Sequence, residues 1–192
     1  MFKFGTTSYI IPAGIHENIL FLKDYVTGIQ IILFELPEEN MLVNPIDTAL
    51  LYKLKKLYNL HFFIHLPLNI NFAASSIEER KKTSEYLKIY FDLGEKIETE
   101  FYVAHLNLPA EWKNTFYTDY LTSEKYKLFS EYVNKTLDFC FSKIPIASKF
   151  LIENIDYNIQ YLNEFIFDRN IGLCMDIGHL LLCKTNVEII SK

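Results

Sequence analysis

Cysteine is scarce in this sequence, and so are the segments that direct a chain to a membrane. The cysteines, Cys140, Cys174 and Cys183, are odd in number and none has a CxxC spacing. Neither a disulfide framework nor a thiolate zinc site is therefore predicted, and we expect a reducing cytoplasm. No apolar run approaches the ~20 residues of a membrane span. The first residues lack the basic and long apolar regions of a signal peptide, so we expect no membrane partner.

A block of basic residues is also missing. The net charge is -5, and the one basic cluster, Arg80-Lys81-Lys82, lies among glutamates of a predicted helix. Such a pattern is typical of a solvated helix face with internal ion pairs. Sequence-independent binding of nucleic acid depends on many phosphate contacts from basic side chains, so we expect no nucleic-acid partner.

Apolar and aromatic residues are abundant, at 50% and 16% of the 192 residues, which is enough for one well-cored domain over residues 1–192. Short apolar runs alternate with longer amphipathic segments, which indicates βαβ units and a parallel α/β sheet. The predicted strands are Phe2–Ser8, Gly28–Glu35, Leu60–Leu66, Phe101–Leu106, Lys149–Ile155 and Ile171–Met175. The predicted helices are His16–Val26, Pro45–Tyr58, Ser76–Leu93, Ser123–Phe141, Ile159–Phe167 and Leu180–Ile190.

Metal-capable side chains stand at the ends of five successive predicted strands: Glu35, His65, His105, Glu153 and Asp176. In a closed parallel barrel these strand ends form one ring at the face where active sites are built. Three carboxylates desolvated together need a cation, and a divalent metal ion supplies it. Imidazole and carboxylate ligands without thiolate suit zinc or manganese, with iron or cobalt as alternatives.

The same residues have simpler interpretations when each is taken alone. Asp176 could cap the helix that follows it, with His179 as a solvated residue of the first turn. A single buried histidine is more often a satisfied core residue than a ligand. A single buried glutamate needs a hydrogen-bonding partner, which need not be a metal.

One long connection, residues 108–122, is rich in aromatic side chains: Trp112, Phe116, Tyr117 and Tyr120. Long loops in compact domains are usually either functional or disordered, and a loop rich in aromatic side chains is poorly suited to full exposure to water. We therefore predict that these four residues form a lid over a substrate pocket. The alternative is that the rings pack onto the rim of the barrel.

The set His65, His105, Glu153, Asp176 and His179 resembles the ligand pattern of the xylose-isomerase-like TIM barrels, in particular their apurinic endonuclease IV-type branch. The resemblance covers essentially the whole chain and includes an Asp-x-x-His element from Asp176 to His179. It implies that His65 and His105 hold one ion and that Glu153 bridges to a second ion bound by Asp176. His179 is implied to contact a third ion or the phosphate.

Three shorter motifs resemble the cobamide-remodelling phosphodiesterases, a bacterial branch of that superfamily. They are the opening Phe4–Pro12, the strand end Leu33-Phe34-Glu35 and the turn His65-Leu66-Pro67-Leu68. This resemblance implies a metal-dependent hydrolase that cleaves the nucleotide-loop phosphodiester of cobamides, a small-molecule substrate.

The implied catalytic residues are Glu153, His179 and Glu35. Glu35 is implied to face the substrate or to hydrogen-bond a ligand histidine. The metal ions would polarise the phosphoryl oxygens and deliver a hydroxide for in-line attack. The aromatic lid would cover an apolar face of a large substrate.

The strand count departs from this family pattern. TIM barrels have eight strands in about 250 residues, whereas six strands are predicted here. The resemblance therefore implies a C-terminally truncated barrel with about six of eight βα units. We expect exposed apolar sheet edges, self-association or a complementing chain, and little hydrolytic activity from this chain alone.

Other functions stay open on the residues alone. A sugar isomerase or epimerase would use Glu153 and Asp176 on a single metal, with a carboxylate abstracting a proton next to a carbonyl. The pair His65 and His105 favours the phosphodiesterase, because a one-metal isomerase does not require both. A repair nuclease is disfavoured by the negative charge. The non-enzymatic alternative is an inactive truncated barrel.

Overall fold

The structure is a computed structural model that describes residues 4–33, 47–108, 124–144, 146–155 and 159–182. In these residues six strands alternate with six helices. The strands are β1 Gly5–Thr7, β2 Gly28–Ile32, β3 His61–His65, β4 Phe101–His105, β5 Phe150–Glu153 and β6 Gly172–Cys174. The helices are α1 Ile15–Leu22, α2 Thr48–Tyr58, α3 Ile77–Lys96, α4 Glu124–Phe141, α5 Asn163–Ile166 and α6 Ile177–Leu182.

The strands form a parallel sheet in the order β1-β2-β3-β4-β5-β6, so the predicted parallel α/β sheet is confirmed. The registers place Gly5 opposite Gly28, Ile32 opposite His65, and Glu153 opposite Cys174. Parallel neighbours need a crossover between them, and helices α1 to α5 lie in these five crossovers. The carboxyl ends of the strands therefore lie along one edge of the sheet.

The chain divides into two compact units. The first unit comprises Met1–Ile70 with Glu85–Val103, and the second comprises Asn71–Ser84 with Ala104–Lys192. The boundary passes through β4, which contributes residues to both. The prediction of a single domain stays a prediction.

In the first unit the buried core lies between the strands and helices α1, α2 and α3. β2 and β3 are apolar because their alternate residues are buried, and Ile29, Ile31, Phe62 and Ile64 have no exposed surface. Helix α3 comes close to β4 at Gly94, where a Cβ would collide with the Tyr102 hydroxyl. This close approach lets that hydroxyl donate to the carbonyl of Phe91 at 3.2 Å.

In the second unit the core is built largely on α4. Phe129, Val133 and Leu137 recur at helical spacing and are buried, and Phe129 meets Phe165 edge to face at 6.3 Å. Strand β5 adds the fully buried Ile152. These contacts fix β5 and the segment that precedes β6, and so they hold the strand ends described below.

Helix starts follow their capping residues. Helix α3 begins with a capping box: the Ser76 hydroxyl accepts the Glu79 amide hydrogen at 3.2 Å, and Glu79 accepts that of Ser76 at 3.1 Å. Asp47 caps α2 by accepting the Leu50 amide hydrogen at 2.9 Å. In the described part of the chain no helix is both long enough and apolar enough to cross a membrane.

Several helix predictions were wrong in detail. Helix α2 begins at Thr48 rather than Pro45, and α3 runs to Lys96 rather than Leu93. Helix α1 ends at Leu22, because the amides of Tyr25 and Val26 turn back to the Leu22 carbonyl. Helix α6 begins at Ile177 rather than Leu180, because Asp176 caps it. The predicted helix Ile159–Phe167 is one α-helical turn between two 3₁₀ segments. Its β-branched and aromatic residues have low helix propensity, so packing decides its geometry.

Candidate metal centre

The candidate centre in the second unit is assembled from strand ends. His105 is the last residue of β4 and Glu153 is the last residue of β5. Asp176 lies two residues beyond β6, and His179 is in the first turn of α6. Because Glu153 stands opposite Cys174 in the parallel ladder, Asp176 emerges at the same edge of the sheet as Glu153.

Glu153 lies between two imidazoles. Its Oε2 is 3.4 Å from Nε2 of His105, and its Oε1 is 4.0 Å from Nε2 of His179. The two histidine rings are nearly perpendicular, at 89°, with centroids 6.3 Å apart. Each oxygen of the carboxylate therefore faces a different histidine.

Glu153, Asp176 and His179 form a compact set of potential ligands. Each offers one donor atom, and these atoms lie within 4.8 Å of one another. Donor atoms that share one first-row metal ion lie about 3 to 4 Å apart, since each is about 2.1 Å from the ion. A modest side-chain adjustment would bring the three onto one cation.

The centre is partly desolvated and negatively charged. Glu153 is 8% exposed, and Asp176 and His179 are half-buried. The pKa of the neighbouring Cys174 thiol is raised to about 11, first by burial and then by the negative charges of Glu153 and Asp176. The same negative potential favours a cation.

The donor set fits a divalent transition metal. The ion pairs of Glu153 with His105 and His179 hold only while the imidazoles are protonated. Neutral imidazoles and carboxylates instead share a cation readily, and this combination suits zinc, manganese, iron or cobalt. His105, Glu153, Asp176 and His179 would supply the ligands.

Asp176 is both a helix cap and a potential metal ligand, the two roles that its position in the sequence allowed. Its Oδ1 accepts the amide hydrogen of His179 at 2.8 Å, which is the geometry of a helix N-cap. Its carboxylate also belongs to the ligand set with Glu153 and His179. The cap fixes the aspartate and the histidine relative to each other, which explains their three-residue spacing.

Sequence reasoning gave no role to Asn154, which directly follows Glu153. Its side chain is buried and hydrogen-bonds the backbone of Asp176 at both the N–H and the carbonyl. The available signal was a polar amide in a segment otherwise buried, next to a predicted ligand. Such an amide needs hydrogen-bonding partners.

His65 lies in the first unit, at the carboxyl end of β3. Its Nδ1 is 2.9 Å from the Leu66 carbonyl, which only accepts, so in the neutral ring Nδ1 carries the proton and Nε2 the lone pair. Metal-binding histidines commonly show this arrangement. Its role as a ligand stays a prediction.

Five predicted site residues lie outside the described residues: Glu35, Trp112, Phe116, Tyr117 and Tyr120. The catalytic role of Glu35 and the aromatic lid therefore stay predictions. Cys183 lies outside the described residues as well.

Comparison with known proteins gives the fold. No protein-family model matches the sequence, and no curated protein matches it. A D-tagatose 3-epimerase-like protein aligns over 93% of this chain and 66% of its own, with 20% identity and a TM-score of 0.68. Endonuclease IV from Thermus thermophilus aligns over 92% and 62%, with 15% identity and a TM-score of 0.61. An L-ribulose 3-epimerase aligns over 98% and 65%, with 15% identity and a TM-score of 0.67.

The fold is that of a partial TIM barrel, with six parallel strands alternating with helices in the described residues. This chain spans somewhat less than two thirds of the length of those three structures. TIM barrels carry their active sites at the carboxyl ends of the strands. His105, Glu153 and Asp176 stand at or just beyond such ends, which is why we treat this cluster as the candidate functional site.

Proposed function

We propose that this protein is a metal-dependent phosphodiesterase in which Glu153 bridges two divalent ions. The observation that carries the proposal is the division of the Glu153 carboxylate, with Oε2 toward His105 and Oε1 toward His179. A carboxylate with a different imidazole at each oxygen suits a two-metal centre. Two-metal centres are typical of enzymes that displace groups at phosphorus.

The roles of the residues follow from this division. His105, together with His65, would hold one ion, and Asp176 would hold the other. His179 would ligate an ion or contact the phosphate. Bound divalent ions supply Lewis-acid polarisation of the phosphoryl group and a more acidic water. We keep the predicted role of Glu35 as a carboxylate that faces the substrate or hydrogen-bonds a ligand histidine.

Glu153 and Asp176 would also attract cations toward the metal-free site. Their combined charge, which already acts on Cys174, would attract cations into a site that is partly shielded from water. A low effective dielectric strengthens that attraction. The capped backbone of α6 meanwhile keeps His179 beside Asp176.

The proposed substrate is the nucleotide-loop phosphodiester of a cobamide. It is supported by the sequence motifs at Phe4–Pro12 and around Glu35 and His65. The aromatic residues Trp112 and Tyr120 and their neighbours would cover an apolar face of this large molecule. A cytoplasmic location, no nucleic-acid partner and self-association through sheet edges belong to the same proposal.

The test is a hydrolysis assay on metal-stripped protein with Mn²⁺, Zn²⁺, Fe²⁺ or Co²⁺ added back. Bis(p-nitrophenyl) phosphate and a complete cobamide are the substrates. We expect metal-dependent release of product, lost in Glu153→Gln. Glu100→Gln is the matched control, because Glu100 also pairs with a histidine, His61, but at the amino ends of β3 and β4. Equal activity in Glu153→Gln and in the unchanged protein would refute the proposal.

A second candidate is a sugar epimerase, favoured by the structural neighbours. These include the D-tagatose 3-epimerase-like protein, L-ribulose 3-epimerase and a D-psicose 3-epimerase. Glu153 and Asp176 would then share one metal, and a carboxylate would remove a proton next to a carbonyl. Conversion of D-fructose or D-tagatose to its 3-epimer, without phosphodiester cleavage, would select this function.

A further inference from the structure

Asn154 extends the pairing of β5 and β6 with its side chain. The last ladder pair joins Glu153 and Cys174, and the backbone N–H of Asn154 then donates to the Cys174 carbonyl at 3.3 Å. Beyond that pair, the side-chain carboxamide of Asn154 makes the hydrogen bonds in place of the backbone. Its Oδ1 accepts the Asp176 amide hydrogen at 2.7 Å, and its Nδ2 donates to the Asp176 carbonyl at 2.8 Å.

The Asn154 carboxamide thus forms a clamp, by which we mean its two hydrogen bonds to the backbone N–H and carbonyl of one residue. The clamped residue is Asp176, a member of the ligand set, and the clamping residue is the immediate neighbour of Glu153. Asn154 is 1% exposed, so water does not compete for these hydrogen bonds. The separation between the two carboxylates is thus set through a single buried side chain.

The clamp also reaches His179. The Asp176 carbonyl that receives Nδ2 of Asn154 also accepts the Leu180 amide hydrogen at 3.2 Å, and Asp176 Oδ1 accepts that of His179. A shift of Asp176 would therefore move the first turn of α6 with it. Asp176 and His179 therefore both depend on the contact with Asn154.

We propose that Asn154 is a positioning residue that holds Asp176, and through it His179, at the distance from Glu153 that one divalent ion requires. This inference rests on the proposed metal centre. Asn154 itself does not touch the ion or the substrate. Residues that orient ligands in this way typically change metal affinity by about 10- to 100-fold when they are replaced.

The chain offers a matched control in Asn18. It is 0% exposed, and its carboxamide makes two hydrogen bonds as acceptor, from the amides of Ile10 and Ile11, besides donating to backbone carbonyls. It lies on α1 in the first unit. Asn18→Ala removes an equally buried carboxamide, so it measures the general cost of such a loss.

The experiment titrates metal-stripped protein with Co²⁺, by calorimetry and by the visible absorption of the bound ion. We expect Asn154→Ala to bind Co²⁺ about 10- to 100-fold more weakly and with an altered spectrum. Asn18→Ala should be destabilised to urea yet bind Co²⁺ as the unchanged protein does. Asn154→Ala with unchanged affinity and spectrum would overturn the inference, as would an equal loss in Asn18→Ala.

A second variant covers the case in which Asn154→Ala does not fold. Asn154→Asp keeps the size and the acceptor for the Asp176 N–H but puts an oxygen against the Asp176 carbonyl. If Co²⁺ affinity depended only on the charge near the site, the carboxylate added in Asn154→Asp would tighten Co²⁺ binding. We expect about tenfold weaker binding instead, and tighter or equal binding would overturn the inference. Failure of the unchanged protein to bind Co²⁺ would refute the metal centre itself, which is a distinguishable result.

Discussion

At the scale of single residues, Asp176 illustrates how one carboxylate serves folding and chemistry together. One oxygen accepts the His179 amide hydrogen, while the charge of the group contributes to a cluster with Glu153. Helix capping needs only an acceptor, and asparagine caps about as well as aspartate. Metal binding needs the negative charge. The two functions are therefore separable by substitution.

We predict that Asp176→Asn leaves the metal-free protein as stable as before, or slightly more stable, because it keeps the cap and removes a like charge near Glu153. Co²⁺ affinity should fall by at least tenfold. Asp176→Ala should lose the affinity and a further ~1 kcal/mol of unfolding free energy, the cost of a lost cap. Urea unfolding without metal and Co²⁺ titration check both. Normal Co²⁺ binding in Asp176→Asn would show that the charge is not used.

At the scale of secondary-structure elements, the start of α3 is fixed by a local sequence device. Hydrogen bonds from the Ser76 amide, then from the Ser75 hydroxyl, lower the pKa of Glu79 below its usual value. A carboxylate with a lowered pKa in the folded state stabilises the protein above its ordinary pKa. That contribution is lost as the pH falls through the folded-state pKa.

We predict that Glu79→Gln lowers the unfolding free energy at pH 7 and that the difference from the unchanged protein shrinks as the pH falls through the folded-state pKa of Glu79. Because Glu79 is exposed, the effect at pH 7 should be below about 1 kcal/mol. Urea unfolding at several pH values measures it. Glu78→Gln, an exposed change in the same turn but outside the capping box, is the control. A difference that grows toward low pH would contradict the assignment.

At the scale of the whole molecule, the candidate centre links metal binding to folding. An ion that binds only the folded chain stabilises it by about 2.7 kcal/mol at 100 times its dissociation constant. The ligands come from separate parts of the sequence, from His105 to His179, so the unfolded chain does not present them together.

We predict that Mn²⁺, Zn²⁺ or Co²⁺ raises the melting temperature of the metal-stripped protein in a concentration-dependent way. Ca²⁺ should raise it less, since imidazole ligands suit transition metals better. The rise should disappear in Glu153→Gln and persist in Glu100→Gln. Thermal melts followed by circular dichroism check this. An equal rise in both variants would place the bound ion elsewhere.

The sequence by itself determined the alternation of strands and helices and the polar residues at the ends of β3, β4 and β5: His65, His105 and Glu153. Both are local patterns: an apolar run long enough for a buried strand, and a histidine or carboxylate directly after it. The start of α3 was equally readable, because Ser76 and Glu79 are three residues apart and interact within one turn.

Only the tertiary structure decided that the two oxygens of the Glu153 carboxylate face different histidines, His105 and His179. Side-chain direction depends on how separate strands are registered. The clamp of Asn154 on Asp176 joins residues 22 positions apart, and it exists only once β5 and β6 have paired. The early start of α6 follows from the Asp176 cap at this same strand end. These features depend on contacts distant in sequence, which no local pattern specifies.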